Sequence, residues 1–173
     1  MELSETIKGR RSVRHFQLKD VPGELVEKLV EAATCAPSAG NLQPWIFVIV
    51  KNPDVKKRLA EAAWNQRHVE EASVVIVVCA DEGRSSSRYG ERGRELYCLQ
   101  DTAAAIQNLL LTAHSLGLGA CWTGAFDEKK ARKALNAPAG VRPVAMIPVG
   151  YAGEVRGRTG RRALSDVIRY DGF

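Results

Sequence analysis

The segment "SVVIVVCA" (73–80) restricts the fold more than any other part of the chain. It is a short, continuous apolar run rich in β-branched residues, which predicts a strand buried in the interior. "WIFVIV" (45–50) has the same character, and "RPVAMIPVGY" (142–151) is predicted to be a further strand despite its two prolines. "ACWTG" (120–124) is predicted to be a strand and a turn.

Helical periodicity accounts for most of the remaining chain. Apolar residues from Leu96 to Leu116 recur every three or four positions and predict the longest helix, which ends at Gly117. Asn52 followed by Pro53 is typical of a helix start, and Asp127 is placed to cap "DEKKARKAL". The predicted helices cover 3–9, 22–34, 53–63, 94–116 and 127–135.

The order of these elements predicts one layered α+β domain over 1–173, with a modest sheet and one dominant central helix. Strands and helices do not alternate in a βαβ rhythm, and no repeat or linker divides the chain. The polar segment "DEGRSSSRYGERG" (81–93) is predicted to be a mobile loop. The basic tail (152–173) is expected to need a partner surface for order.

Composition excludes several protein classes. The net charge of +5 and the pI near 9.2 favour an anionic partner. No apolar run approaches the roughly 20 residues of a membrane span, so no membrane association is expected. "MELSETIKGRR" lacks the features of a secretory signal, which predicts a cytoplasmic protein. The cysteines are interpreted as buried thiols; they are Cys35, Cys79, Cys98 and Cys121.

Common catalytic and cofactor motifs are missing. The chain has no Walker A motif, no G-x-G-x-x-G after a strand and no G-x-S-x-G elbow. His15, His68 and His114 show no metal-ligand spacing, so surface or packing roles are predicted and no metal site.

Two polar segments are candidates for ligand contacts. In "GRRSVRHF" (9–16), the guanidinium groups of Arg10 and Arg14 and the Ser12 hydroxyl suit a phosphate monoester, although a solvated basic turn explains the segment about as well. In "APSAGNLQPW" (36–45), a loop with hydroxyl and amide groups leads into a buried strand. The alternative interpretation of this loop is that it only connects a helix to a strand.

Five segments, in order along the chain, together resemble the nitroreductase family of FMN-dependent flavoproteins. They are "RRSVRHF", "APSAGNLQPW", "WNQRHVEEASVVIVVCAD", "LQDTAAAIQNLLLTAHSLGLGACWTGAFDE" and "IPVGY". The resemblance implies a central, mainly antiparallel sheet flanked by helices and crossed by a long central helix. It also implies a homodimer with a domain-swapped C-terminal segment and two FMN molecules at the interface.

The resemblance also assigns cofactor contacts. In the family, the first segment clamps FMN, the second reaches the flavin of the other subunit, an asparagine bonds the isoalloxazine ring, and a backbone amide faces flavin N5. A C-terminal basic segment returns to the phosphate. The matching residues are Arg10, Arg11, Ser12 and Arg14; Pro37, Ser38, Ala39 and Asn41; Asn65; Thr123 and Gly124; and Arg161 or Arg162.

The activity implied is hydride transfer from NAD(P)H to FMN and then to a nitroaromatic, quinone or similar acceptor in a ping-pong scheme, with no side chain as nucleophile. Arg14 is expected to stabilise the reduced flavin electrostatically. Family members with other flavin chemistry (dehalogenation, dehydrogenation, flavin fragmentation) and a non-catalytic flavin-binding protein are alternatives.

Two further basic segments are candidates for binding anions. Longer family members carry an inserted segment that covers the flavin, where this chain has only residues 81–95. The charged and aromatic residues of this segment either steer the phosphates of the nicotinamide dinucleotide or belong to a solvated loop. They are Arg84, Arg88, Tyr89 and Arg92. A remote alternative is a nucleic-acid-binding module, which the low aromatic content argues against. Its basic patch would be Arg156, Arg158, Arg161, Arg162 and Arg169.

Overall fold

A four-stranded antiparallel sheet forms the centre of the protein, whose computed structural model describes residues 2–154, 157 and 159–173. The strand order is β1-β2-β4-β3, and every pair of neighbours is antiparallel. The predicted α+β architecture with a mainly antiparallel sheet is therefore confirmed. The strands are β1 (Trp45–Val50), β2 (Val74–Asp81), β3 (Leu118–Ala120) and β4 (Val141–Tyr151).

Helices lie on both faces of this sheet, and four of the eight in the described residues begin within one residue of a predicted start: α1, α2, α3 and α7. The Asn52 side chain accepts hydrogen bonds from the backbone N–H groups of Asp54 and Val55 at 2.9 and 3.1 Å, and the Asp127 side chain caps a later helix. The helices are α1 (Leu3–Gly9), α2 (Gly23–Thr34), α3 (Pro53–Ala62), α4 (Arg67–Glu71), α5 (Glu82–Arg92), α6 (Cys98–Ser115), α7 (Glu128–Leu135) and α8 (Leu164–Val167).

Alternate residues of β2 pack against different helices. One set of side chains packs with α2 and α6 on one face of the sheet, and the other set packs with α3 and α7 on the opposite face. Both faces of the strand are 0 % exposed, which explains why its sequence is continuously apolar rather than alternating. The first set is Val74, Ile76 and Val78, and the second is Val75, Val77 and Cys79.

The central helix α6 is confirmed, although it begins at Cys98 rather than at residue 94. A π-helical turn, Gly93–Tyr97, precedes it. The helix lies against α2 and the sheet, and it ends before Gly117, whose φ of +74° lies in the left-handed region that favours glycine.

The prediction of a loop at 81–93 is wrong, because this segment forms α5. The Asp81 carboxylate accepts a hydrogen bond from the Arg84 N–H at 2.9 Å and caps the helix. The helix is interrupted at Gly90, whose φ of 55° is not helical. A Cβ on Gly93 would clash with the Ser85 carbonyl oxygen, so the chain folds closely back on itself after this break. A polar segment is thus ordered by a cap and a close backbone approach, which hydrophobic patterning does not register.

The prediction of four buried cysteines also needs one correction. Cys79, Cys98 and Cys121 are buried, whereas Cys35 is exposed. It directly follows the end of α2, beyond the last turn that packs on the core. Burial raises the pKa of the Cys79 thiol to about 11, which keeps it protonated at neutral pH.

The tail lies apart from the core. Its described residues beyond Ala152 are exposed, including the apolar side chains of Leu164, Val167 and Ile168 in and after α8. Arg156 and Arg158, part of the alternative nucleic-acid patch, lie outside the described residues. None of the helices in the described part of the chain is both long and apolar enough to cross a bilayer.

Candidate cofactor site

The first arginine segment lies along the edge strand β3. Ser12 forms a parallel bridge with Ala120, and the Val13 N–H donates to the Ala120 carbonyl at 3.0 Å. A Cβ on Gly119 would lie 2.8 Å from the Val13 side chain, so glycine is needed for this close approach. The sheet therefore fixes the position of the whole segment.

Four of the predicted residues converge around the buried thiol of Cys121. Ser12 is bridged to Ala120, the residue before Cys121, and Arg10 lines one cavity with Ala120. Arg14 lines one cleft with His68, which is hydrogen-bonded to Thr123. Burial raises the pKa of Cys121, and the nearby positive charges of Arg14 and Arg10 oppose that shift. These groups therefore share one neighbourhood at the end of β3. One chain thus brings together the two predicted parts that begin at residues 10 and 123.

His68 completes this cluster, and the sequence analysis did not include it in the site. Its Nε2 atom lies 2.9 Å from the Thr123 hydroxyl in a hydrogen bond between two buried side chains. Burial lowers the pKa of His68, and the charge of Arg14 lowers it further. His68 therefore has a packing role, as predicted, and it also bonds to one candidate cofactor contact, Thr123, and lines one cleft with another, Arg14.

Asn65 lies on a tight turn next to the same cluster. Trp64 and Asn65 both adopt left-handed backbone angles, with φ of 53° and 59°. The Gln66 side chain donates to the Ala125 carbonyl at 3.1 Å and joins this turn to the segment after Thr123. Asn65 is exposed and is held beside the 123–125 backbone.

The backbone N–H groups of Thr123 and Gly124 differ in whether they are available to a ligand. Thr123 donates its N–H to the Met146 carbonyl at 2.9 Å and so uses it within the sheet. Gly124, the next residue, is exposed. Of the two predicted amides, that of Gly124 is therefore the one suited to a ligand.

The predicted loop with Ser38, Ala39 and Asn41 is held at a different place. The Ala39 N–H donates to the carboxylate of Asp101 at 3.0 Å, and the Gln43 N–H donates to the Ser38 hydroxyl at 3.0 Å. Asp101 is 7 % exposed, and burial raises its pKa. The sequence analysis missed Asp101, although it is the only acidic residue in α6 and so stands out in an otherwise apolar helix.

The two groups of candidate residues occupy opposite ends of α6. Ala39 contacts Asp101 in the first turn of the helix. Gly9 approaches the ring of His114 in the last turn so closely that a Cβ would lie 2.4 Å from Nε2. At 1.5 Å per residue, the helix separates these contacts by about 20 Å. The loop at 37–41 therefore does not join the arginine cluster of its own chain.

Three predicted arginines make local contacts instead of joining the cluster. Arg11 donates through Nη1 to three carbonyl oxygens at the end of α1, at 2.6 to 2.9 Å. Arg161 donates to the Gly160 carbonyl at 3.0 Å, and Arg162 to the Asp166 carbonyl at 2.9 Å. Both tail arginines are exposed.

Comparison with known proteins decides the family. The profile described as "Nitroreductase family" matches residues 7–70 and 61–151. The chain belongs to the nitroreductase family. It is 40 % identical over 173 residues to a Methanothermobacter thermautotrophicus protein named "Putative NADH dehydrogenase/NAD(P)H nitroreductase", with 98 % of this chain and 85 % of that protein covered.

Solved structures of nitroreductase-family proteins share the fold. A Parabacteroides distasonis protein of the same name superimposes with a TM-score of 0.87 at 34 % identity, covering 98 % of both chains. NADPH:FMN oxidoreductase from Vibrio harveyi, complexed with NAD+, gives a TM-score of 0.90 at 25 % identity, covering 98 % of this chain and 77 % of that one.

The polar groups around the end of β3 suit FMN, the cofactor of the nitroreductase family. Two arginines and the Ser12 hydroxyl lie around the end of β3, and in the described part of the chain neither Arg10 nor Arg14 forms an ion pair. An exposed asparagine and the exposed Gly124 lie next to them. This set combines donors for a phosphate with donors for the polar edge of a flat ring, so it fits FMN.

Proposed function

We propose that this protein is an FMN-dependent oxidoreductase that uses NAD(P)H to reduce nitroaromatic, quinone or similar acceptors. When bound, FMN supplies the hydride chemistry, taking a hydride from the nicotinamide and passing it to the acceptor in a second half-reaction. The observation that carries the proposal is the placement of Arg10, Ser12, Arg14 and Thr123 around the end of β3 in a nitroreductase-family chain.

The residues of this cluster would divide the work of holding the cofactor. Arg10 and the Ser12 hydroxyl would bind the phosphate by charge-assisted hydrogen bonds. Arg14 would lie near the pyrimidine edge, where a fixed positive charge stabilises the negative charge of the reduced ring. The Asn65 amide and the Gly124 N–H would orient the ring, and the bond from His68 to Thr123 would keep the turn in place.

A homodimer is part of the proposal. The loop at 37–41 is held at the first turn of α6, about 20 Å along the helix from the contact of Gly9 with His114, so it would contact the FMN of a partner subunit. In the described part of the chain, the edge strand β1 pairs with β2 alone, so its outer edge is open to a partner. The exposed apolar tail would swap onto the partner, where Arg161 or Arg162 would reach the phosphate. We further propose that the protein is cytoplasmic, with no membrane or nucleic-acid partner.

The test is a visible spectrum of the purified protein followed by anaerobic addition of NADPH or NADH. Flavin absorption that bleaches with either donor and returns when a nitroaromatic or a quinone is added is the expected result. Bleaching without reoxidation by these acceptors would favour other flavin chemistry, such as dehalogenation. A flavin spectrum that neither donor bleaches would indicate a binding protein, and a protein that takes up no FMN would contradict the proposal at its cofactor.

A further inference from the structure

A cluster of arginine and tyrosine side chains covers the outer side of α5 and the π-helical turn. The rings of Tyr89 and Tyr97 meet edge to face, with centroids 5.2 Å apart and planes at 83°. Arg88 lies over the Tyr89 ring at 5.5 Å, and Arg92 lies over the Tyr97 ring at 5.3 Å. Arg92 also donates through Nε to the Tyr97 hydroxyl at 2.9 Å. These four residues are named the Arg–Tyr cluster.

The Arg–Tyr cluster rests on the loop that we assign to the cofactor. A Cβ on Gly40 would lie 2.7 Å from the Tyr89 hydroxyl and 2.9 Å from an Arg88 Nη atom, and Gly40 has a φ of +56°. Arg84, one turn earlier, donates through Nε to the Leu42 carbonyl. Whatever lies against the 37–42 loop therefore also lies close to Arg88.

The guanidinium groups of the cluster are not neutralised by acidic side chains. In the described part of the chain, the ion pairs join Arg67 to Glu71 and Arg142 to Glu128, so neither Arg88 nor Arg92 takes part in one. Both arginines are exposed. A guanidinium held by an aromatic ring loses little side-chain entropy when it binds a carboxylate or phosphate. Arg92 keeps its Nη groups for such a ligand, since its Nε already donates to Tyr97.

We propose that Arg88 and Arg92 recognise the oxyanion of a substrate that enters beside the 37–42 loop. This proposal rests on the proposed function and specifies the chemical class of its substrate. The oxyanion belongs either to the phosphates of the nicotinamide dinucleotide or to the carboxylate of an anionic acceptor. Tyr89 lies against Arg88 and Tyr97 against Arg92, and the contact between the two rings keeps both guanidinium groups in one cluster.

Steady-state kinetics of the FMN-loaded protein can separate the two sources, because in a ping-pong scheme kcat/KM for the donor and for the acceptor are independent. The variants are Arg88→Gln, Arg92→Gln and Arg88→Lys, with Arg94→Gln as a control that removes the same charge outside the stacked pairs. The donors are NADPH and NADH. The acceptors are 4-nitrobenzoate and its neutral methyl ester.

We expect Arg88→Gln and Arg92→Gln to lower one anionic kcat/KM by about tenfold, as loss of a charge-assisted hydrogen bond implies. A fall for the donors alone assigns the oxyanion to the dinucleotide. A fall for 4-nitrobenzoate but not for its ester assigns it to the acceptor. Arg88→Lys should recover part of the loss, since it keeps the charge but not the planar fork.

The inference would be overturned if, for every substrate, kcat/KM of Arg88→Gln and of Arg92→Gln equals that of the control Arg94→Gln. That result leaves the proposed function intact if flavin content and turnover of the ester are normal. Failure of the wild-type protein to bind FMN or to oxidise either donor would instead overturn the proposed function. If Arg88→Gln does not fold, Arg92→Gln and Arg88→Lys give the same comparison.

Discussion

Replacement of Thr123 by valine tests whether the bond to His68 supports the candidate site. Valine has nearly the same shape as threonine but cannot form the 2.9 Å hydrogen bond to Nε2. Thr123 is 3 % exposed and His68 is 7 % exposed, so water does not easily replace the lost partner. Leaving a buried polar group without a partner costs about 1–3 kcal/mol of unfolding free energy.

Urea denaturation measures this cost. With a slope of about 2 kcal/mol per molar urea, the midpoint of Thr123→Val should fall by about 0.5–1.5 M at fixed protein and FMN concentrations. Thr102→Val is the matched control, because Thr102 is 1 % exposed and its hydroxyl donates to helix carbonyls of its own preceding turn. Its cost should stay below about 1 kcal/mol, since no buried group loses its only partner.

A double variant makes this test stricter. His68→Leu with Thr123→Val removes both partners, and the pair should be less destabilised than the sum of the single variants by about 1 kcal/mol. The reasoning is refuted if Thr123→Val and Thr102→Val have the same midpoint and the double variant is additive.

Three other variants test the core, a buried charge and the arginine cluster. Leu109→Ala in α6, at a side chain that is 0 % exposed, should cost about 2–5 kcal/mol in the same denaturation assay, and a cost below 1 kcal/mol would contradict the assigned packing. Burial raises the folded-state pKa of Asp101 above its unfolded value, so the wild type should lose stability relative to Asp101→Asn as the pH rises from 4 to 7; parallel profiles would disprove this. Arg14→Gln should weaken FMN binding about tenfold by fluorescence titration, whereas Arg58→Gln on α3 should not.

The elements that could be predicted from sequence are those whose signal is local. β1 and β2 are continuous β-branched runs, and α3 carries its own cap in Asn52. α5 could not be predicted, because its order depends on the Asp81 cap and on the approach of Gly93 to Ser85 rather than on an apolar face. The contacts that assemble the candidate site are long-range, such as Ala39 with Asp101 and His68 with Thr123. Periodicity carries no information about such pairs.

The position of α6 supports the proposal that the cofactor site is built from two chains. The helix is covered by α2 on one side and by the sheet on the other, so both of its ends are fixed within the fold. One end holds the 37–42 loop through Asp101, and the other lies beside α1, which leads into the arginine segment. A rigid spacer of about 20 Å cannot be shortened to bring these parts onto one small cofactor. In the proposed homodimer each chain would carry both parts of a site and complete it with a second copy, and that arrangement would place the Arg–Tyr cluster of one subunit at the entrance to the FMN held by the other.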